Sequence, residues 1–210
     1  MSDKSFTRPI PRTGLPLAAA TLTGIVALYI TLVAFGNITD FGTNQQFVRH
    51  VLAMDTTFKD PDLMGRAITS QTWQDAAYLG IIAWETLTAL VLIGATALWA
   101  GGMRRRDRLV RARLASTVGL LMLLLLFGAG FLAIGGEWFA MWQSKSWNGL
   151  EAATRNVTLA GIALLVVHLP GTAGRDEEVT GRAGEAGVRG GEATERAAKA
   201  KAPAAGETGE

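Results

Sequence analysis

Apolar residues in this chain are gathered in four long blocks, running from Leu15 to Gly36, Ala76 to Trp99, Ala112 to Gly135 and Gly149 to Leu169. A helix rises 1.5 Å per residue and needs about 20 residues to cross about 30 Å of hydrocarbon, so each block is long enough to span a bilayer. The pattern predicts an all-α protein, a four-span transmembrane helical bundle with a partly helical extracytoplasmic loop at 37–75 and a disordered C-terminal tail. On this reading residues 1–14 are a cytoplasmic arm, 15–169 the membrane domain and 170–210 the tail. The first block is longer than the apolar region of a cleaved signal, and no small-x-small site precedes Asn37, so it is expected to stay as a span.

The polar segments between the blocks carry their own signals. Phe47, Val48, Val51 and Leu52 recur at helical spacing in the 37–75 loop, predicting a short amphipathic helix able to lie on the membrane surface or to cover the bundle mouth. Asp60 followed by Pro61 reads as an N-cap and first-turn proline, which predicts a second short helix over Asp62 to Thr69. Thr72 and Asp75 have the spacing of a capping box at the entry to the second span. The third block carries Gly128 and Gly130, which allow close helix approach, and the pair Gly135-Gly136, which can end the helix. Beyond it, Trp138, Trp142 and Trp147 read as an interfacial aromatic belt. Asn148 with Glu151 predicts a capped start to the fourth span, and Pro170-Gly171 its stop.

Charge then orients the bundle. Lys4, Arg8 and Arg12 precede the first span, and Arg104, Arg105, Arg106, Arg108, Arg111 and Arg113 crowd the second connection. The other two connections hold only Arg49, Lys59, Arg66 and Lys145. By the bias of basic residues toward the cytoplasm, the arginine-rich loop and both termini are inside. The net charge of +2 conceals this, because residues 171–210 hold six basic and eight acidic residues, leaving 14 basic and 10 acidic in the body. That surplus is accounted for by topology, and no nucleic-acid partner is expected. The tail itself is Gly, Ala, Glu and Arg without aromatics, a composition that cannot build a core.

One residue stands out within the spans. Glu85 lies nine positions after Ala76, roughly 14 Å into the second span by helical rise. An ionised carboxylate in hydrocarbon needs a partner, and Arg155, in the fourth span, is the nearest on the same side of the membrane. The expected intramembrane pair is therefore Glu85–Arg155, with Glu137 as a competitor for the arginine. The same outer face gathers a polar and aromatic cluster: Asn37, Asp40, Asn44, His50, Asp55, Arg66, Glu137, Trp138, Trp142, Trp147 and Asn148. Asp40 and Asn44 would share a helix face if that segment is helical. The carboxylates and amides match no calcium-loop or zinc spacing, and no metal is expected. With no Cys there is no disulfide, thiolate metal site or iron–sulfur cluster. His50 and His168 fall at opposite ends of the bundle and cannot share a haem, and no cofactor is expected. Phosphate-binding, nucleophile-elbow, metalloprotease and dinucleotide motifs are absent. Asn37-Ile38-Thr39 and Asn156-Val157-Thr158 match glycosylation acceptors at chance frequency.

The segments GNITDFGTNQQFVRHVLAMDTTF, RAITS, AWETLTA and IGGEWFAMWQSKSWNG together resemble a bacterial family of predicted small integral membrane proteins, domain of unknown function 2165. The resemblance spans about residues 20–170, and by it Asn37, Asp40, Asn44, His50, Asp55, Arg66, Glu85, Glu137, Trp138, Trp142, Trp147, Asn148 and Arg155 fall at motif positions. It implies a four-helix inner-membrane protein and supplies no activity. The segment after 170 departs from it.

A role without catalysis is expected. The leading reading is a structural or accessory subunit whose ordered outer cap docks onto a larger membrane complex. Its expected partners are the lipid bilayer and a membrane-protein complex or a second copy of the chain. The alternative is a proton- or solute-coupled transporter or sensor that uses Glu85 and Arg155. An interfacial enzyme on lipid or quinone, working through Glu137, His50 and the aspartates, ranks last. Because the chain has no native Cys, its orientation is directly testable. A single cysteine at Lys145 should react with a membrane-impermeant maleimide in intact cells, and one at Arg105 should be protected; the opposite pattern inverts the topology.

Overall fold

The computed structural model describes residues 14–102 and 105–172. The expected N-terminal arm and C-terminal tail lie outside these, apart from residue 14 and residues 170–172. The protein is an all-α bundle with four helices long and apolar enough to cross a membrane: Gly14–Thr39, Gln71–Gly102, Asp107–Trp138 and Leu150–His168. In chain order the elements are α1 (Gly14–Thr39), α2 (Phe41–Ala53), α3 (Pro61–Met64), α4 (Gln71–Gly102), α5 (Arg106–Leu123), a π-helix (Leu124–Trp138), a 3-10 turn (Met141–Gln143) and α6 (Leu150–His168).

Several boundaries depart from expectation for identifiable reasons. The second span begins at Gln71, five residues before the apolar block, and its 32 residues reach about 48 Å. No Thr72–Asp75 capping box forms, because Asp75 is drawn instead to Arg49 on α2, with N···O 2.9 Å. The first turns of α4 therefore stand beyond the span's apolar block and serve as a post for the cap. At the other end α4 runs on to Gly102 and α5 starts at Arg106, so much of the expected arginine-rich loop is helix. The predicted helix over Asp62 to Thr69 is a single turn, Pro61–Met64, started as foreseen by Asp60 accepting from the Asp62 amide at 3.0 Å.

The arginine end is closely packed. A Cβ on Gly119 would lie 2.6 Å from the Leu92 side chain, and one on Gly102 would lie 2.8 Å from Leu109, so glycine lets α4 and α5 meet backbone to side chain. Ser116 adds a polar tie, accepting from the Trp99 indole at 2.8 Å and forming a hydroxyl–hydroxyl hydrogen bond with Thr23 of α1 at 3.2 Å. These groups are fully buried, and Ile30, Leu92, Leu120, Ala160 and Val167 fill the space around them.

The third span changes character halfway. From Leu124 its backbone widens to i→i−5 bonding, ending with the Phe139 amide on the Ile134 carbonyl at 3.0 Å, and it continues three residues past Gly135, through Gly136 and Glu137 to Trp138. Such a π-helix is rare at this length. Alongside it α4 and the third span part company: α4 packs along α5, and the Trp84 indole donates to the Met122 carbonyl at 3.0 Å just before the widening begins.

The two connections at the opposite end form one ordered cap. Met54 is buried in the left-handed conformation at φ 53°, and with Phe139 and Ala140 it centres a second apolar cluster containing Val51, Leu52, Leu63 and Ile68. Thr56 and Ser144 share a hydrogen bond at 2.8 Å, and the Phe58 amide donates to Gln143 at 2.9 Å, joining residues 85 or more apart in sequence. Gly119→Ala should destabilise the protein by about 1–3 kcal/mol, the usual cost of overpacking. Gly161→Ala, where the new methyl meets open space, should be neutral; thermal unfolding in detergent followed by circular dichroism compares the two.

Candidate functional site

Glu85 sits near the midpoint of α4 and is 2% exposed. Its partner is not Arg155. The Asn37 side-chain amide, in the last turn of α1, donates to Glu85 Oε2 at 2.6 Å, while the Asn37 backbone carbonyl accepts from the Tyr78 hydroxyl at 2.9 Å. Tyr78 precedes Glu85 by seven residues, two helical turns, which puts both on the same face of α4. The three residues form a short buried chain linking α1 to α4. Arg155 is exposed; among the described residues Arg49 pairs with Asp75, and His50 Nδ1 lies within hydrogen-bond distance of Asp55. The physical reason is phase: Ala153, Asn156, Ala160 and Ala163 form the buried stripe of α6, and Arg155 falls outside it.

Glu85 lines a chamber of about 360 Å³ formed by α1, α2, α4, the start of α6 and the π-helix. The polar groups on its wall are Tyr29, Asn37, Asn44, Tyr78, Glu85, Asn148 and Asn156, and Phe47, Phe127 and Phe131 contribute aromatic surface. Among the described residues no basic side chain lines it. Asn156 is 6% exposed and its Oδ1 is buried without a hydrogen-bond partner among the described residues. An unsatisfied buried amide oxygen costs about 1–3 kcal/mol unless something else fills the place. Asn37 is likewise the one protein donor to the Glu85 carboxylate among the described residues.

The other residues of the expected outer cluster divide among separate contacts. Asn44 and Asn148 reach the chamber, and Asn148 also accepts from the Leu150 amide at 3.1 Å, with Gly149 as the cap residue, so the expected Asn148–Glu151 box is not made. Asp40 lies before α2 rather than within it, exposed and accepting from Thr43 at 2.9 Å, so it does not share a helix face with Asn44. His50 contacts Asp55 at 2.8 Å and stacks on Trp147, ring centres 4.6 Å apart. Arg66 covers the face of Trp138 at 4.7 Å, Trp142 meets Phe58 edge to face at 5.9 Å, and Glu137 is exposed. Among the described residues no three His, Asp or Glu side chains come close enough to share a metal ion. Of the arginine cluster, Arg104 and the side chain of Arg106 lie outside the described residues, and Arg105, Arg108 and Arg111 are exposed. Arg113 bonds the Nδ1 and carbonyl oxygen of His168, each at 3.3 Å.

Tyr29, Tyr78 and Asn156 are chamber residues outside the expected site. Tyr78 could have been found from its two-turn spacing to Glu85, and Asn156 from being a buried-phase amide inside a span. Above the chamber α2 is fastened by Asp75, which accepts from Gln45 and twice from Arg49, each at 2.9 Å. That hydrogen bonding holds the Arg49 guanidinium above its ordinary pKa.

Fold and site together define a four-span helical membrane protein with a polar chamber beneath an ordered cap. The chain belongs to the family of predicted small integral membrane proteins, domain of unknown function 2165, whose profile matches residues 15–170. Neither the curated proteins nor the solved structures give a match.

Asp75→Asn should loosen α2 over the chamber. Amide hydrogen exchange across Phe41–Ala53 should speed up about two- to fivefold, the range expected for losing a partly exposed ion pair, while exchange in α5 stays unchanged.

Proposed function

We propose that this protein binds a small molecule in the chamber around Glu85, as a membrane-embedded receptor or as the binding component of a carrier. The single observation that carries this reading is the buried, unpartnered Asn156 oxygen in the same cavity wall as a carboxylate that has one neutral donor. Intramembrane ionisable residues mark substrate paths and ligand counter-ions more often than they serve as inert filling. A ligand donating hydrogen bonds would satisfy both groups at once. The cap supports the reading, since α2 roofs the chamber with Asn44, Phe47 and Val48, joined to α1 through Asp40 and fastened to α4 by side-chain bonds to Asp75. This keeps Glu85 from the transporter or sensor reading and gives the role of Arg155 to Asn37.

Docking onto a larger membrane complex in the bacterial inner membrane is the second reading. What favours it is the exposed aromatic rim of the cap, with Phe58 at 71%, Trp73 at 70% and Trp142 at 50%. An enzymatic role has no comparable support.

Gentle extraction followed by native mass spectrometry tests the first reading. The wild-type chain should carry a bound small molecule whose occupancy falls about tenfold, equivalent to about 1.4 kcal/mol, in Glu85→Gln and in Asn156→Leu. Equal occupancy in all three, with the helical content of each intact by circular dichroism, would remove this function.

A further inference from the structure

Next to the polar chamber lies a second cavity of about 120 Å³, and the two share Phe47, Val48, Ile81 and Phe131 as walls. This second cavity is apolar throughout its lining. It runs between Ala77 and Ile81 of α4 and Leu126, Gly130 and Ile134 of the π-helix, where the two spans have separated. Ala77 and Ile134 are exposed on spanning helices, so the crevice opens sideways toward lipid rather than through the cap. A polar compartment and an apolar one therefore adjoin, and the apolar one has a lateral mouth.

We infer that the ligand is a single-chain amphiphile with an amine head, which enters from the bilayer between α4 and the π-helix. This inference rests on the function proposed above. The head lies against Glu85 and the Asn156 oxygen, and the chain lies along Gly130 and Phe131. Charge decides the head: among the described residues the chamber wall holds a carboxylate and no Lys, Arg or His, so an ammonium supplies the missing counter-charge and a carboxylate or phosphate head is repelled. The amine's N–H groups also match the acceptors on offer, while Asn37 already occupies one carboxylate oxygen. The parting of the spans decides the chain, because a small polar solute has no use for an apolar cleft on the lipid side. Glycine keeps that cleft open. A Cβ on Gly130 would meet nothing nearer than 3.9 Å, so a side chain can start there without a clash, and a long one takes up space in the cleft that glycine leaves free.

The full chain in lipid nanodiscs, exposed to dodecylamine carrying a terminal diazirine and then irradiated, provides the test. Crosslinks should map to 126–134 of the π-helix or to 77–81 of α4, and should fall at least tenfold in Glu85→Gln and in Gly130→Leu. Ethylammonium should compete poorly. Equal labelling by the matching dodecanoate would overturn the amine head, and undiminished labelling in Gly130→Leu would overturn the crevice. If ethylammonium competes as well as unlabelled dodecylamine and does so only with Glu85 present, the chamber binds a ligand but the amphiphile is wrong. Labelling and competition that both ignore Glu85 would sink this inference and the chamber reading together. Gly130→Leu keeps the test decisive should Glu85→Gln fail to fold.

Discussion

The contact between the Asn37 amide and the Glu85 carboxylate, 2.6 Å long and buried between α1 and α4, constrains the cap half of this protein. A carboxylate withdrawn from water loses several kcal/mol of hydration, and one neutral donor restores only part of that. The neighbourhood is arranged around the shortfall. Tyr78 fixes the Asn37 backbone from the same face of α4, which sets the height at which α1 ends. Asp40 follows directly after that turn and α2 starts at once, so the chain folds over the carboxylate.

The two ends of the bundle are built differently. At the arginine end Gly102 and Gly119 let helices close to within side-chain contact, and Thr23, Ser116 and Trp99 satisfy one another in a dry core. At the cap end the third span unwinds into a π-helix, α4 leaves it, and cavities appear in the space between. A π-helix is rare and is found most often at functional sites, and here it runs over Leu124–Trp138, where the cavities are. One end supplies rigidity and the other supplies room.

Four helices, their membrane-spanning character and the amphipathic helix of the cap were legible from the sequence, because each is a property of local hydrophobic period. Asp60 as an N-cap was legible for the same reason, since its partner amide is two residues away. The candidate site was legible only in part. Glu85 announces itself as a charge inside an apolar run, and Asn37, Asn44 and Asn148 were singled out among the polar residues beside it. Arg155 was a natural guess from depth alone, but depth does not state azimuth, and a rotation set by α6 packing turned it out of the bundle.

By itself, then, the order of residues determined which segments are helical, which of them can cross a bilayer, and that one acidic group would need company there. Those outcomes depend on neighbours within a turn or two along the chain. Tertiary structure alone decided that the company is an amide 48 residues away, that Asn156 goes without a partner, and that α4 and the π-helix diverge to leave adjoining polar and apolar spaces. Each of these depends on the relative rotation and separation of helices distant in sequence, which close packing between them fixes and no local pattern encodes.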